Sequence, residues 1–308
     1  MNLRTTNPIG DAVQSLVREL VHDGVPEPVP AGRRVHLEGR GTTYVRELPG
    51  PPGAPTLVLL HGWMGSGGLN WCRAFEPLGR DFRVLAPDLR GHGNGMRHRA
   101  VFRLADCADD LAALLDTLHT GPVVVAGYSM GGAIAQLLAR QRPDLVAGMV
   151  LCATAAQLPI GPGGGHPLDA ALVVAANGAR LSGHVTHLPT APVRLAAGAV
   201  GAVRTLRATT PTDFVRWAVD ELRRHDVRIL LEAARAAGRH DAREWIGEVR
   251  APAAVVLTAR DRLVPADRQL ATAEALRASV HEVAGGHTVC TRDRFVGPLV
   301  DACHAVAG

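Results

Sequence analysis

The stretch that decides the fold is Val123-Val124-Val125-Ala126-Gly127-Tyr128-Ser129-Met130-Gly131-Gly132. Its apolar beginning is typical of a strand that is buried on both faces. The residues after Ser129 start a helical pattern that continues to Arg142 and stops at Pro143. A serine therefore stands at a sharp turn between a buried strand and a helix. The glycines on either side of it leave room where the two backbones cross.

The segments on both sides of this turn alternate between short strand patterns and helical patterns. Six segments show this: Arg34–Glu38 and Thr42–Glu47 as an antiparallel pair of strands, Thr56–Leu60, Arg83–Ala86 and Met149–Cys152 as buried strands, and Val101–His119 as a helix. Alternation of this kind favours a mostly parallel sheet that is flanked by helices and joined by right-handed crossovers. The sequence therefore predicts an α/β fold.

The alternation breaks after residue 153 and resumes after residue 249. Four elements follow the break: a strand at Ala253–Leu257, a helix near Arg268–Ala278, a strand at Val280–Val283 and a last helix after Cys290. Between the two halves only helical patterns and Gly/Pro-rich loops occur. We therefore predict three parts: an N-terminal helical arm and linker over residues 1–33, an α/β core over residues 34–153 and 250–308, and a helical cap over residues 154–249.

The composition excludes several classes of function. The chain has 308 residues, and all 33 of its basic residues are arginine. Without lysine there is no Schiff-base or pyridoxal phosphate chemistry and no Walker-A phosphate loop. Arginine-rich usage of this kind is typical of a GC-rich genome. Since no nucleic-acid-binding module accompanies it, we predict no nucleic-acid partner.

The cysteines and the apolar segments bear on the compartment. The five cysteines form neither a CxxC motif nor a Cys/His cluster, so we predict no metal site and reduced thiols. The N-terminus leads into no apolar signal segment, and no apolar run reaches the roughly 18–20 residues of a membrane span. We therefore predict a cytoplasmic protein without a cofactor or a membrane partner, and the sequence leaves a homodimer open.

Four stretches of the chain together resemble the α/β-hydrolase fold, in particular its capped serine esterases of actinobacterial type. The stretches are Leu59-Leu60-His61-Gly62-Trp63 after the third predicted strand, Asp88-Leu89-Arg90-Gly91-His92-Gly93 after the fourth, the turn at Ser129, and Asp261 with His287 late in the chain. The resemblance covers residues 34–308 and leaves the N-terminal arm outside. It implies a fold and a reaction chemistry, but no particular substrate.

The resemblance implies a catalytic triad in the chain order serine, acid, histidine. A serine hydroxyl is a weak nucleophile and needs a base that a carboxylate orients. His287 follows the last predicted strand, where the resemblance expects this base, and Asp261 follows the strand Ala253–Leu257. Asp267 is the second candidate for the acid, although its place at a helix start also suits a carboxylate. Related sequences often carry glycine three positions before the acid, where this chain has Thr258.

The resemblance also implies an oxyanion hole, formed by the backbone N–H groups of Trp63 and Met130. Ser129 as nucleophile argues against epoxide hydrolases and haloalkane dehalogenases, which use aspartate. The lack of lysine argues against hydroxynitrile lyases. The predicted function is a serine esterase for small to medium carboxylic esters. The apolar faces of the cap suggest that these esters are largely apolar, and they include Ala171, Leu172, Val173, Val174, Phe214, Trp217 and Leu222.

Other enzymes that use the same triad stay possible: a thioesterase, a C–C bond hydrolase or lyase, and a cofactor-free perhydrolase. A small-molecule receptor without catalytic activity belongs to a different class of function. Receptors of this fold often lack a triad residue, whereas Ser129, Asp261 and His287 are all present here. The esterase is therefore the main prediction.

Overall fold

The computed structural model describes residue 23, residues 29–158 and residues 213–308. The helix predicted in the N-terminal arm and the cap from residue 159 to residue 212 lie outside the described residues. The described part of the chain forms one eight-stranded sheet with helices on both faces.

The sheet is mostly parallel. Its strands are β1 (Gly32–Leu37), β2 (Gly41–Leu48), β3 (Thr56–Leu60), β4 (Arg83–Asp88), β5 (Val123–Tyr128), β6 (Val146–Cys152), β7 (Ala253–Thr258) and β8 (Ser279–Val283). They follow the order β1-β2-β4-β3-β5-β6-β7-β8. Strand β2 pairs antiparallel with both β1 and β4, and the other neighbours are parallel. The sheet confirms the predicted fold class, including the antiparallel pair at its start.

Helices cover both faces of the sheet. They are α1 (Gly67–Trp71), α2 (Phe75–Gly79), α3 (Leu104–Leu118), α4 (Met130–Gln141), α5 (Asp213–Arg223), α6 (Val227–Gly238), α7 (Ala266–Leu276) and α8 (Val296–Ala307). Apolar residues of α3, α4 and α7 share one buried cluster, and those of α1, α2 and α8 share a second cluster on the opposite face. Helices α5 and α6 belong to the predicted cap. The cap therefore contributes helices in its described part.

The centre of the sheet is wholly apolar or small. Every residue of β3 and of β5 is buried. Burial of one Val or Leu side chain contributes roughly 1.5–3 kcal/mol, so these two strands hold the middle of the fold together. Leu60 pairs with Gly127, so β3 and β5 end side by side. In a parallel sheet the loops after such strands leave from one edge, where ligands usually bind.

Candidate active site

Ser129 occupies the turn between β5 and α4. Its backbone has φ 52° and ψ −117°, a conformation that costs a non-glycine residue roughly 1–3 kcal/mol. A Cβ atom at Gly127 would lie 2.4 Å from the carbonyl oxygen of Gly131. A Cβ atom at Gly131 would lie 2.2 Å from the carbonyl oxygen of Leu60. Both positions therefore require glycine, and the surrounding backbone holds the serine in its strained turn.

The structure brings Ser129, His287 and Asp261 into one hydrogen-bonded chain. The Oγ of Ser129 lies 2.9 Å from Nε2 of His287. The Nδ1 of His287 lies 2.8 Å from Oδ2 of Asp261. A carboxylate can only accept, so Nδ1 carries the proton and Nε2 accepts from the serine hydroxyl. These are the three residues that sequence analysis selected, and the arrangement can take a proton from the serine.

The carboxylate of Asp261 is held by its own loop. Its Oδ1 accepts the backbone N–H groups of Leu263 and Val264, at 2.8 and 2.9 Å. Its Oδ2 accepts the hydroxyl of Thr258 at 2.9 Å as well as the imidazole of His287. Burial alone would raise the pKa of Asp261, but the hydrogen bonds and the facing imidazole bring this pKa below its ordinary value. Asp261 therefore stays ionised.

Thr258 stands three positions before Asp261, where related sequences often carry glycine, and its side chain makes a second contact. Besides donating to Asp261, its hydroxyl accepts from Nε2 of Gln269 at 2.7 Å. Gln269 is fully buried in α7, and its Oε1 accepts the backbone N–H of Thr258 at 3.1 Å. Sequence analysis missed Gln269, since nothing in the pattern of α7 marks one polar residue as facing the acid. Asp267, the second candidate, lies in the first turn of the same helix.

Tyr128 supports the histidine from the other side. Its hydroxyl donates to the backbone carbonyl of His287 at 2.7 Å, and the two rings lie 5.9 Å apart in an edge-on arrangement. The tyrosine is the residue just before Ser129, so the strand that presents the serine also contacts the loop of the histidine. Sequence analysis assigned no role to this residue.

The loop after β3 forms a turn over residues 62–65, named here the 62–65 turn. Its Gly62 carbonyl accepts the N–H of Gly65 at 3.0 Å and Nδ1–H of His61 at 2.8 Å. In a trans peptide the C=O and the next N–H point in opposite directions, so the N–H of Trp63 points away from these partners. A Cβ atom at Gly62 would lie 3.4 Å from Cβ of Ser129, so the turn lies directly against the serine.

Met130 is the first residue of α4. The first N–H groups of a helix lack acceptors within the helix and carry its positive dipole end. The backbone N–H groups of Trp63 and Met130 therefore belong to two segments that both adjoin Ser129. This arrangement can accommodate an oxygen that gains negative charge beside the serine.

Three of the apolar residues predicted to favour an apolar substrate pack elsewhere, and the other four, at positions 171–174, lie outside the described residues. Phe214, Trp217 and Leu222 of α5 pack against a small buried cluster of Leu69, Cys72 and Ala218. These three side chains therefore hold the cap on the core. Two other apolar side chains are exposed next to the site: Trp63 at 41% and Leu263 at 44%.

The described residues contain neither a candidate metal cluster nor a candidate membrane span. Within them, no group of three or more His, Cys, Asp or Glu side chains could hold a metal ion. None of the helices in the described ranges is long and apolar enough to cross a membrane.

Comparison with known proteins places this site in a family. A model of the alpha/beta hydrolase fold matches residues 55–291. The chain belongs to the α/β-hydrolase family. Among curated relatives in this family, lipase LipV of Mycobacterium tuberculosis is 42% identical over 102 residues, which are 33% of this chain and 38% of the lipase. Uncharacterised mycobacterial proteins match over 97 residues, 28% of their length, so the chain spans less than half of these relatives.

Solved structures of other α/β-hydrolases show the same fold. A thermophilic esterase from Thermogutta terrifontis has a TM-score of 0.68 at 22% identity, over 90% of this chain and 100% of the esterase. The enol-lactonase of Burkholderia xenovorans has a TM-score of 0.66 at 22% identity, over 87% of this chain and 98% of the lactonase. Identities at this level show the fold alone.

Proposed function

We propose that this α/β-hydrolase is a serine esterase that cleaves small to medium, largely apolar carboxylic esters through an acyl-enzyme. One observation carries the proposal: the hydrogen-bonded chain from Ser129 through His287 to Asp261. A buried, ionised Asp261 keeps the imidazole in the tautomer that can accept the serine proton. Nucleophile, base and orienting acid thus have the geometry that acyl transfer requires.

The reaction has two halves on this site. In the first, Oγ of Ser129 attacks the acyl carbon while Nε2 of His287 takes its proton. The tetrahedral intermediate directs its oxyanion to the N–H groups of Trp63 and Met130. It collapses as the C–O bond to the alcohol breaks, and His287 protonates the departing alcohol. In the second half, His287 activates a water that releases the carboxylic acid and restores Ser129.

The exposed side chains beside the site support an apolar substrate. Trp63 follows the Gly62 that lies against the serine, and Leu263 follows the proposed acid by two residues. Both side chains leave apolar surface open at the edge of the sheet where the reacting groups meet. A lactone is a cyclic ester, and one structural neighbour is an enol-lactonase, so lactones belong to the same substrate panel.

Hydrolysis of p-nitrophenyl esters of increasing acyl length tests the proposal. Wild type, Ser129→Ala and the matched control Ser279→Ala, at an exposed position on β8, are assayed side by side. We expect wild type and the control to turn over alike, and Ser129→Ala to lose roughly 10³- to 10⁶-fold in kcat. The acyl length with the highest kcat/KM then indicates how long an acyl chain the site accommodates.

Two outcomes would overturn this function. Equal activity of wild type and Ser129→Ala would show that another group is the nucleophile. The wild type could also leave every ester and lactone intact, yet cleave a thioester or a carbon–carbon bond in a Ser129-dependent way. The triad would then serve one of the alternative reactions, and the esterase proposal would be wrong.

A further inference from the structure

The 62–65 turn contains a strained residue at its centre. The N–H of Gly65 bonds to the carbonyl of Gly62, which places Trp63 and Met64 in the two middle positions. Met64 has φ 60°, in the left-handed region that favours glycine. A methionine there is strained and keeps this conformation only when neighbours hold it. The contacts around the turn therefore decide where the N–H of Trp63 points.

Three residues of the cap, Glu221, His225 and Leu230, bond to the 62–65 turn or to Ser66 just after it. The indole N–H of Trp63 donates to the carbonyl of Leu230 in α6 at 2.8 Å. The carbonyl of Met64 lies 3.0 Å from Nε2 of His225, between α5 and α6. The hydroxyl of Ser66 donates to Glu221 of α5 at 2.7 Å. The cap is thus hydrogen-bonded to the segment that begins at Gly62, the residue that lies against Ser129.

His225 makes the bond that acts on the strained residue directly. The backbone N–H of Gly93 donates to its Nδ1 at 2.9 Å, so Nδ1 carries no proton. The single proton of the neutral ring is then on Nε2, which donates to the carbonyl of Met64. Burial, with a further contribution from His92, lowers the pKa of His225 to about 3. The ring is therefore neutral near pH 7, with one donor and one acceptor, and both are used.

We propose that His225 is a positioning residue of the oxyanion hole. By holding the carbonyl of Met64 it keeps the turn in its left-handed conformation and aims the N–H of Trp63 at the developing oxyanion. The cap thereby takes part in the chemistry. This inference rests on the proposed serine chemistry and adds a residue of the cap to it.

Two substitutions separate the two bonds of His225. The amide nitrogen of glutamine can reach the position of Nε2, so His225→Gln keeps a donor for Met64. Asparagine reaches only the position of Nδ1, so His225→Asn keeps an acceptor for Gly93 and loses the donor. The matched control is His240→Asn, because His240 is also buried and its Nε2 lies 3.0 Å from Gln136, away from the turn.

The measurement is the rate at which an alkyl fluorophosphonate labels Ser129, followed by intact mass. The Oγ–P bond forms, the P–F bond breaks, fluoride leaves and the serine proton passes to His287. The phosphoryl oxygen gains charge in this step as an ester carbonyl does, so the rate reports the oxyanion hole without a known substrate. The kcat and KM for the best p-nitrophenyl ester are measured on the same samples, with circular dichroism as the check of folding.

We expect His225→Asn to slow labelling and lower kcat by roughly 10- to 100-fold, a fraction of the loss of a whole oxyanion donor, with KM changed less than about threefold. His225→Gln should recover most of the rate, and His240→Asn should label like wild type. Equal losses in His225→Asn and His240→Asn, or no recovery in His225→Gln, would overturn the proposal.

A second variant keeps the inference testable if His225→Asn does not fold. Trp63→Phe removes the donor to Leu230 while the half-exposed ring position stays filled. We expect it to slow labelling by roughly 3- to 10-fold, and an unchanged rate would contradict a cap-held turn. Failure of the proposed function has a different signature: wild type labelled at Ser129 without ester turnover leaves the inference standing, whereas wild type that is not labelled at all overturns both.

Discussion

The proposed acid, Asp261, and the 62–65 turn both belong to the site around Ser129, but they are held in different ways. Within the described residues, the side chain of Asp261 bonds to His287 and otherwise only to Thr258, Leu263 and Val264, all within three residues along the chain. The turn also has local bonds at Gly62, but its two middle residues, Trp63 and Met64, bond to cap residues that lie 167 and 161 residues away in sequence. The proposed acid is thus placed by its own loop, whereas the middle of the turn also depends on how the cap docks. Substitutions in these two regions should therefore differ in size and in what they change.

Between these two regions, the largest expected effect is loss of the charge on the proposed acid. Asp261→Asn leaves the loop bonds nearly intact but stabilises the wrong imidazole tautomer, so kcat should fall by roughly 10³- to 10⁴-fold. Ester turnover by folded protein measures this. Asp267→Asn is the matched control and should stay within about twofold of wild type. If Asp267→Asn is the variant that loses activity, the assignment of the acid is wrong.

Lowering the pH should destabilise the region of the 62–65 turn before it destabilises the loop of Asp261. Burial lowers the pKa of His61, His92 and His225 to about 3 each. In the unfolded chain histidine takes up a proton near pH 6.5, so the unfolded state binds more protons between about pH 6.5 and 3. Stability therefore falls as pH drops through this window. Asp261, with a lowered pKa, loses its contribution only below about pH 3.8.

Asp88 opposes part of this effect. Burial raises its pKa to about 6, so it takes up a proton on folding between about pH 6 and 4 and offsets one histidine. The free energy of unfolding should then be lower at pH 5 than at pH 7 by about 2–4 kcal/mol. Urea unfolding at several pH values measures this. His225→Asn should make the unfolding free energy less dependent on pH, whereas His36→Asn, at an exposed position, should not. A wild-type free energy that does not change with pH would contradict the presence of neutral buried histidines.

The hydroxyl of Thr258 should have a smaller effect. Thr258→Val keeps the shape but removes the bond to Asp261 and leaves an N–H of Gln269 without its acceptor. We expect kcat to fall by roughly 3- to 10-fold and the unfolding free energy by about 1–3 kcal/mol. Thr272→Val is the matched control, since Thr272 is buried in the same helix as Gln269 and bonds to Ala156. It should lose stability alone, and an equal loss of kcat in both variants would contradict a role through the acid.

The smallest expected effect is at Tyr128. Tyr128→Phe keeps the ring packing and removes the bond to the carbonyl of His287. Since Asp261 still orients the imidazole, we expect kcat to fall by only about two- to fivefold, with KM unchanged. Steady-state kinetics on the best ester measures it. A loss as large as that of Asp261→Asn would show that the histidine loop, and not the acid loop, sets the geometry.

The fold could be predicted from sequence because its signals are local. Runs such as Val123–Ala126 indicate buried strands by their own composition, and Gly127 and Gly131 mark a crossing that tolerates no Cβ atom. Boundaries were less accurate: the helix predicted from Val101 begins at Leu104, because Arg103 before it is extended. The predicted arm over residues 1–33 and most of the cap stay predictions, as they fall largely outside the described residues.

By itself, the sequence determined the order of elements, the strained turn at Ser129, and the two late positions from which a base and an acid could reach it. Periodicity and turn chemistry act over a few residues, so they can be read along the chain. Only the tertiary structure decided that Thr258 and Gln269 support Asp261, and that His225 holds the turn beside the serine. Those contacts depend on how helices dock across the sheet edge, and side-chain packing between distant segments leaves no periodic trace in the sequence.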